Sequence, residues 1–170
     1  MKLLGALIII IGTTWVGFEF AKRLSDRPRQ LRQLKVALQS LEAEIMYGMT
    51  PLAEASTNLA KQMPKPVAYF FERFSFHLHN KEDSVAKAWQ ESLDETWPLT
   101  ALCPAELEVM KQFGATLGQH DRTHQQKQIK LTLSHLEREE GEARDRQNRY
   151  EKMLKSLGFL SGLLIVILML

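Results

Sequence analysis

The segment "LEAEIMYGMTPLAEA", Leu41 to Ala55, contains two helical stretches separated by a break, and this break decides the predicted fold. Gly48 permits a left-handed backbone turn, Thr50 can cap a helix and Pro51 can occupy a first helical turn. Before the break, apolar residues recur at helical intervals at Leu31, Leu34, Leu38, Leu41 and Ile45. The segment therefore predicts a helical hairpin whose hinge is formed by Gly48, Thr50 and Pro51.

The same helical spacing continues on both sides of the hairpin. No stretch alternates apolar and polar residues for long, as a half-buried strand would. The sequence predicts an all-α protein with a six-helix bundle over residues 26–155. The predicted helices begin near Asp26, Pro51, Val67, Ser84, Ala105 and Asp121.

The sixth predicted helix meets no proline and is expected to run unbroken to the end of the chain. Its heptad seam contains Ile129, Leu136 and Ala143, but the complementary positions include Glu140 and Gln147. Because this coiled-coil-like seam becomes polar in its middle, residues 137–155 are predicted to form a solvent-exposed helical stalk next to a membrane.

Both ends of the chain are uncharged over residues 3–18 and 157–170. At about 1.5 Å per residue, these runs reach roughly 24 and 21 Å, against a hydrocarbon core of about 30 Å. We interpret them as short transmembrane helices over residues 1–21 and 156–170, extended by lysines that snorkel to the headgroups. A cleaved signal peptide is the alternative for the first run, although no small-x-small cleavage site follows it.

Basic residues flank both apolar runs on the side of the central bundle. Arg27, Arg29 and Arg32 follow the first run, and a second basic group between residues 144 and 155 precedes the last. Positive flanks are retained on the cytoplasmic side, so the bundle is expected to face the cytoplasm. These arginines are also candidate contacts for anionic lipid headgroups or another partner.

His120 and His124 lie four residues apart and could both ligate a metal from one helix face. The alternative is a polar helix start in which Asp121 caps the helix. Gly114 and Gly118 have the GxxxG spacing, which in a soluble segment indicates close helix packing and a helix C-cap.

Composition and motifs exclude several classes of function. The net charge of +2 is too balanced for a general nucleic-acid-binding surface, and a single cysteine cannot form an internal disulfide. Phosphate-binding glycine loops and the common motifs of hydrolases and metalloproteases are missing from the sequence, so neither an enzyme nor a cofactor is expected.

Three long motifs resemble the stage III sporulation protein AB family of endospore-forming bacteria. They are "RPRQLRQLKVALQSLEAEIMYGMTPLAEA" at residues 27–55, "FGATLGQHD" at 113–121 and "EKMLKSLGFLSGLLIVILML" at 151–170. The resemblance implies a bundle similar to the F-type domain of type II secretion and type IV pilus platform proteins. It also implies a place in the channel complex between mother cell and forespore.

The resemblance further implies a non-enzymatic platform in the mother-cell membrane that docks a secretion-type ATPase, similar to the stage III AA protein. The other expected partners are further stage III A channel proteins, membrane lipid and further copies of the chain. Glu42 and Glu44 are the candidate partner-binding carboxylates. The alternative function is a membrane-anchored adaptor or a ligand-sensing or metal-sensing regulator that uses His120 and His124.

Overall fold

The computed structural model describes residues 2–48, 50–80, 84–118 and 122–169, and these residues contain helices and no strand. The helices are α1 Lys2–Tyr47, α2 Leu52–Gln62, α3 Val67–Asn80, α4 Val85–Thr96, the short 3-10 helix Trp97–Leu99, α5 Pro104–Thr116 and α6 Arg122–Met169. The prediction of an all-α fold with six α-helices is confirmed.

The chain forms two compact units. Arg29–Glu140 form one unit, which we call the bundle unit, and Met1–Pro28 together with Gly141–Leu170 form the other, which we call the terminal unit. The long helices α1 and α6 each contribute residues to both units.

The core of the bundle unit is built around Trp89 on α4, which is fully buried. Its ring makes edge-to-face contacts with Phe70, Phe74 and Phe113 at centroid distances of 4.7, 4.9 and 5.1 Å. The indole Nε1 donates a hydrogen bond of 2.8 Å to the carbonyl of Met110. The buried tryptophan thus satisfies its only polar group while its ring holds α3, α4 and α5 together.

Four of the five residues of the apolar seam predicted on α1 are buried, and the fifth, Ile45, is half-buried. Leu31, Leu34, Leu38 and Leu41 are each at most 4 % exposed. Gln30 lies next to this seam, and its side-chain oxygen accepts a hydrogen bond of 2.8 Å from the backbone N–H of Ala101. This buried amide fixes α1 to the connector that precedes α5.

The predicted start of α4 near Ser84 is confirmed. Ser84 is the N-cap, and its hydroxyl accepts a hydrogen bond of 3.3 Å from the backbone N–H of Lys87. Cys103 is the N-cap of α5, and its backbone N–H donates to the buried carboxylate of Glu106. Both caps supply partners for backbone N–H groups that helices leave unpaired at their N-termini.

The predicted helix start near Asp26 is wrong, because α1 continues through this region with Pro28 inside it. A proline removes one backbone hydrogen bond, and the regular turns on both sides maintain the helix across that local loss. Ser25 lies inside α1, and its hydroxyl accepts a hydrogen bond of 2.9 Å from Nε2 of Gln147 within the terminal unit.

The predicted transmembrane helices over residues 1–21 and 156–170 are not supported. Among the described residues, no helix contains a stretch that is both long enough and apolar enough to cross a membrane. The uncharged runs at residues 3–18 and 157–170 are also shorter than the roughly 20 apolar residues that a span usually needs.

Candidate docking surface

Glu42 and Glu44 lie on the last two turns of α1, where both side chains are half-buried. Within the described part of the chain, neither carboxylate forms a salt bridge or a side-chain hydrogen bond. Other carboxylates of the bundle unit, such as Glu95 and Glu140, are paired with cations. Glu42 and Glu44 therefore remain available for a cationic partner.

Tyr47 ends α1 and is 83 % exposed, the largest exposure among the large apolar or aromatic side chains of the described residues. An exposed tyrosine next to carboxylates combines apolar area with hydrogen-bonding capacity, which is typical of protein-interface residues. We refer to Glu42, Glu44 and Tyr47 as the acidic end of α1. Sequence reasoning missed Tyr47, although its position directly before Gly48 was a usable signal.

Gly48 ends the helix without the left-handed turn that the sequence predicts. Among the glycines that the structure describes, Gly118 has a positive φ, whereas the φ of Gly48 is not positive. The backbone N–H of Gly48 donates to the carbonyls of Ala43 and Glu44 at 3.2 and 3.0 Å. A Cβ at Gly48 would lie 2.7 Å from the carbonyl oxygen of Glu44. The position therefore requires glycine because a side chain would clash with the preceding turn, and not because of a left-handed backbone conformation.

The predicted roles of Thr50 and Pro51 also change. The N-cap of α2 is Pro51, which makes no side-chain cap hydrogen bond, and the helix begins at Leu52. The carbonyl of Pro51 accepts the first helical hydrogen bond, from the backbone N–H of Ala55 at 3.0 Å. The break between α1 and α2 lies where it was predicted, but Thr50 does not cap the second helix.

Arg32 is directed to α6 within the bundle unit. Its Nε lies 3.1 Å from Glu140, and Nζ of Lys35 lies 3.1 Å from the other oxygen of the same carboxylate. Burial raises the pKa of Glu140, but the hydrogen bonds from Lys35 and Arg32 outweigh it and hold the pKa below its ordinary value. Arg32 thus stabilises α1 against α6 with a side chain that is still 61 % exposed.

Glu140 was predicted to lie on a solvent-exposed stalk, and this is wrong for that residue, which is 6 % exposed. A charged residue on a helical seam can be buried when it is paired, and two cations from α1 pair with it here. Arg27 is half-buried and belongs to the terminal unit, whereas Arg29 is exposed and belongs to the bundle unit.

Gly114 and Gly118 have structural roles in the bundle unit. A Cβ at Gly114 would lie 2.0 Å from Cδ1 of Trp89, so only glycine lets α5 approach α4 this closely. Gly118 follows the C-cap of α5 with a φ of 81°, the left-handed conformation that glycine adopts without strain. These two glycines pack helices and end α5.

The histidine pair gives no metal centre that the structure describes. His120 and Asp121 lie outside the described residues, and His124 is exposed near the start of α6. Across residues 2–48, 50–80, 84–118 and 122–169, no group of three or more His, Cys, Asp or Glu side chains could hold a metal ion.

The terminal unit carries a large exposed apolar surface. Its two helices approach closely at Gly17 and Gly158, where an added Cβ at either glycine would lie 3.0 Å from the Cα of the other. Many of the large apolar side chains that the structure describes in this unit are exposed. Those at least half exposed are Ile8, Ile11, Trp15, Val16, Phe18 and Phe20 on α1 and Leu157, Leu160, Leu164 and Ile167 on α6.

Comparisons with known proteins give consistent matches over the chain. A family model described as "Stage III sporulation protein AB (spore_III_AB)" matches residues 2–170. The stage III sporulation protein AB of Bacillus subtilis (strain 168) is 56 % identical over 169 residues, which cover 99 % of each chain. A solved structure titled "Stage III sporulation protein AB (SpoIIIAB)" is similar at a TM-score of 0.71 and 54 % identity, covering 73 % of this chain and 98 % of that one.

Proposed function

Because the chain belongs to the stage III sporulation protein AB family, we propose that it is a non-enzymatic platform of the channel between mother cell and forespore. The bundle unit resembles an F-type platform domain and faces the cytoplasm. It docks a secretion-type ATPase and couples that ATPase to the membrane rings formed by other stage III A proteins.

The observation that carries this proposal is the acidic end of α1. Glu42 and Glu44 are ionisable groups without an ion pair in the described part of the chain, and the 83 % exposed Tyr47 lies beside them. Unpaired carboxylates attract a basic partner surface, and an exposed aromatic ring adds apolar contact area. This combination favours docking of a cationic protein surface at the end of α1.

The terminal unit supports a location at the mother-cell membrane. Its outward apolar side chains, among them Trp15 and Leu160, need a partner that removes them from water. Basic residues such as Lys22 and Arg149 follow or precede these apolar segments along the chain, as expected next to anionic headgroups. We therefore include membrane lipid and further copies of the chain among the proposed partners.

The docking proposal is tested by reversing the charge of the acidic end. The full chain, reconstituted in lipid vesicles, is compared with Glu42→Lys/Glu44→Lys for capture of a purified stage III AA-like ATPase. We expect at least a tenfold loss of affinity, because two attractive contacts become repulsive. Circular dichroism should show an unchanged helix content.

A matched control places the same charge change on another part of the bundle surface. Glu72 and Glu108 are exposed residues of α3 and α5, and Glu72→Lys/Glu108→Lys should leave capture close to the wild-type level. Capture that is equally strong in both double variants would refute docking at the acidic end of α1.

A further inference from the structure

The outer face of α1 in the bundle unit carries a second stripe of residues, on the side opposite the buried leucine seam. Its members are all exposed, and they follow one another at intervals of three or four residues: Arg29, Arg32, Val36, Gln39, Ala43 and Tyr47. At about 100° per residue, these positions fall within an arc of about 80° on one side of the helix. We call them the outer stripe.

The middle of the outer stripe is uncharged and partly apolar. Val36 is 46 % exposed, and it is followed on the same face by the neutral side chains of Gln39 and Ala43. Lys35 is a neighbour along the chain, but its Nζ lies 3.1 Å from the carboxylate of Glu140 on α6. A helix face with small, uncharged side chains allows a second helix to approach closely.

The two ends of the outer stripe differ in charge. Arg29 and Arg32 lie at its first end, whereas Glu42 and Glu44 flank its other end, next to Tyr47. The side chain of Arg32 remains 61 % exposed although its Nε binds α6. The charge along this face therefore changes from positive to negative over about 22 Å of one continuous helix.

A helix with this order of charges is complementary to a second copy of itself in one direction only. In a parallel pair, arginines would face arginines and carboxylates would face carboxylates, which is repulsive. In an antiparallel pair related by a twofold axis, the basic end of each copy faces the acidic end of the other, and the same contact is made twice. The charge order thus favours another copy of this chain as the partner.

We propose that two copies of the chain pair through the outer stripes of their α1 helices, antiparallel to each other and about a twofold axis near residues 36–39. Arg32 of one copy then lies opposite Glu42 of the second copy, and Arg29 lies near Glu44 of the second copy. This pairing goes beyond the proposed function, because it requires no ATPase. Since both proposals use the acidic end of α1, a docked ATPase and a second copy exclude each other at this surface.

The pairing is weak and depends on concentration. A contact between two single helices lies at the low end of the size range of specific interfaces. Confinement of the copies to one lipid surface raises their effective concentration. The pairing is therefore best measured in the full chain reconstituted in lipid vesicles.

Crosslinking of the full chain with Cys103→Ser tests the direction and the register. Gln39→Cys lies close to the twofold axis, so its thiols in the two copies are offset along the helices by about 4–5 Å, whereas those of Ala43→Cys are offset by about 16 Å. Ala43→Cys is the matched control, because both positions are exposed on the same face. With a bismaleimide too short for the larger offset, we expect roughly fivefold more crosslinked dimer from Gln39→Cys.

A charge exchange tests the contact between the basic and acidic ends. In the chain that carries Gln39→Cys, Arg29→Glu and Glu44→Arg should each lower the crosslinking yield roughly threefold, because each places like charges opposite each other, and their combination should restore most of it. Arg29 and Glu44 lie about 22 Å apart within one chain, so recovery reports a contact between copies. Circular dichroism should show an unchanged helix content. Both assays contain no ATPase, so their outcome is independent of the docking proposal.

Two results would overturn the pairing. Equal yields from Gln39→Cys and Ala43→Cys would exclude the antiparallel register, because random collision or a parallel pair treats both positions alike. A combined Arg29→Glu/Glu44→Arg variant that crosslinks no better than the two single variants would exclude the contact between the basic end and the acidic end. The two cysteine variants change exposed positions only, so their comparison decides the question even if a charge variant does not fold.

Discussion

At the scale of single residues, glycine and tryptophan at one contact explain how α5 packs in the bundle unit. Gly114 presents only hydrogen toward the indole of Trp89, whose Nε1 bonds the carbonyl of Met110 on the same helix. The hydrogen bond and the missing Cβ require each other, because any side chain at this position would push the indole away from its acceptor. The spacing of Gly114 and Gly118 predicted close packing, but not the residue that is packed against.

Replacing Gly114 with alanine should therefore destabilise the bundle. The new Cβ would lie 2.0 Å from Cδ1 of Trp89, and overpacking of this kind costs about 1–3 kcal/mol. Denaturant unfolding followed by tryptophan fluorescence measures the change. Gly141→Ala is the control, since nothing lies within 4 Å of that Cβ and alanine favours a helix. Equal stability of Gly114→Ala and the wild type would contradict the tight contact.

At the scale of helices, α1 and α6 are continuous over 46 and 48 residues, although the sequence suggests that α1 is divided near Asp26. Pro28 is a strong local signal for a helix start, yet it costs only one backbone hydrogen bond when turns continue on both sides. In the terminal unit the two helices are held by the contact of Gly17 with Gly158 and by the hydrogen bond from Gln147 to Ser25. Neither pair is visible in the sequence, because the partners are more than 100 residues apart.

Gly17→Leu should separate the two helices of the terminal unit. An added Cβ would already lie 3.0 Å from the Cα of Gly158 and 3.1 Å from the carbonyl oxygen of Leu154, so a larger side chain cannot fit. The measurement is disulfide formation between Ser25→Cys and Gln147→Cys in a full chain with Cys103→Ser, and we expect a severalfold slower reaction. Gly12→Leu is the control, because the space around that Cβ is open. Equal rates in the two leucine variants would argue against the glycine contact.

At the scale of the whole molecule, the distribution of apolar surface separates the two units. The bundle unit buries Phe70, Phe71, Phe74 and Phe113 around Trp89. In the terminal unit, large apolar side chains among the described residues are exposed, including Phe18 and Leu160. A surface of this kind is unfavourable in water and favourable against lipid or protein. It is the main structural support for the proposed membrane location.

Charge introduced into this surface should weaken membrane binding. Phe18 and Leu160 are 53 % and 54 % exposed, and the full-length Phe18→Asp/Leu160→Asp variant should sediment with anionic vesicles at least tenfold less than the wild type. Val36→Asp/Leu131→Asp is the control, since these bundle residues are 46 % and 47 % exposed but lie outside the terminal unit. Equal sedimentation of both variants would contradict lipid binding by the terminal unit.

The sequence alone determined the features that depend on neighbours along the chain. The apolar periodicity from Leu31 to Leu41, the break before α2 and the Ser84 cap are local, because helix faces and caps are set by residues within about one or two turns. Family membership likewise followed from contiguous motifs and is confirmed by the match over residues 2–170.

The tertiary structure decided which side chains meet across distant segments. Glu140 is a charged residue on a predicted apolar seam. Its burial is possible because Arg32 and Lys35, which are more than 100 residues away along the chain, pair with its carboxylate. The sequence does not distinguish His77 from the other four histidines. Only the structure shows that Glu91 and Glu95 lie next to its two ring nitrogens. Pairing energies of this kind depend on distances through space, which helix packing sets and periodicity does not encode.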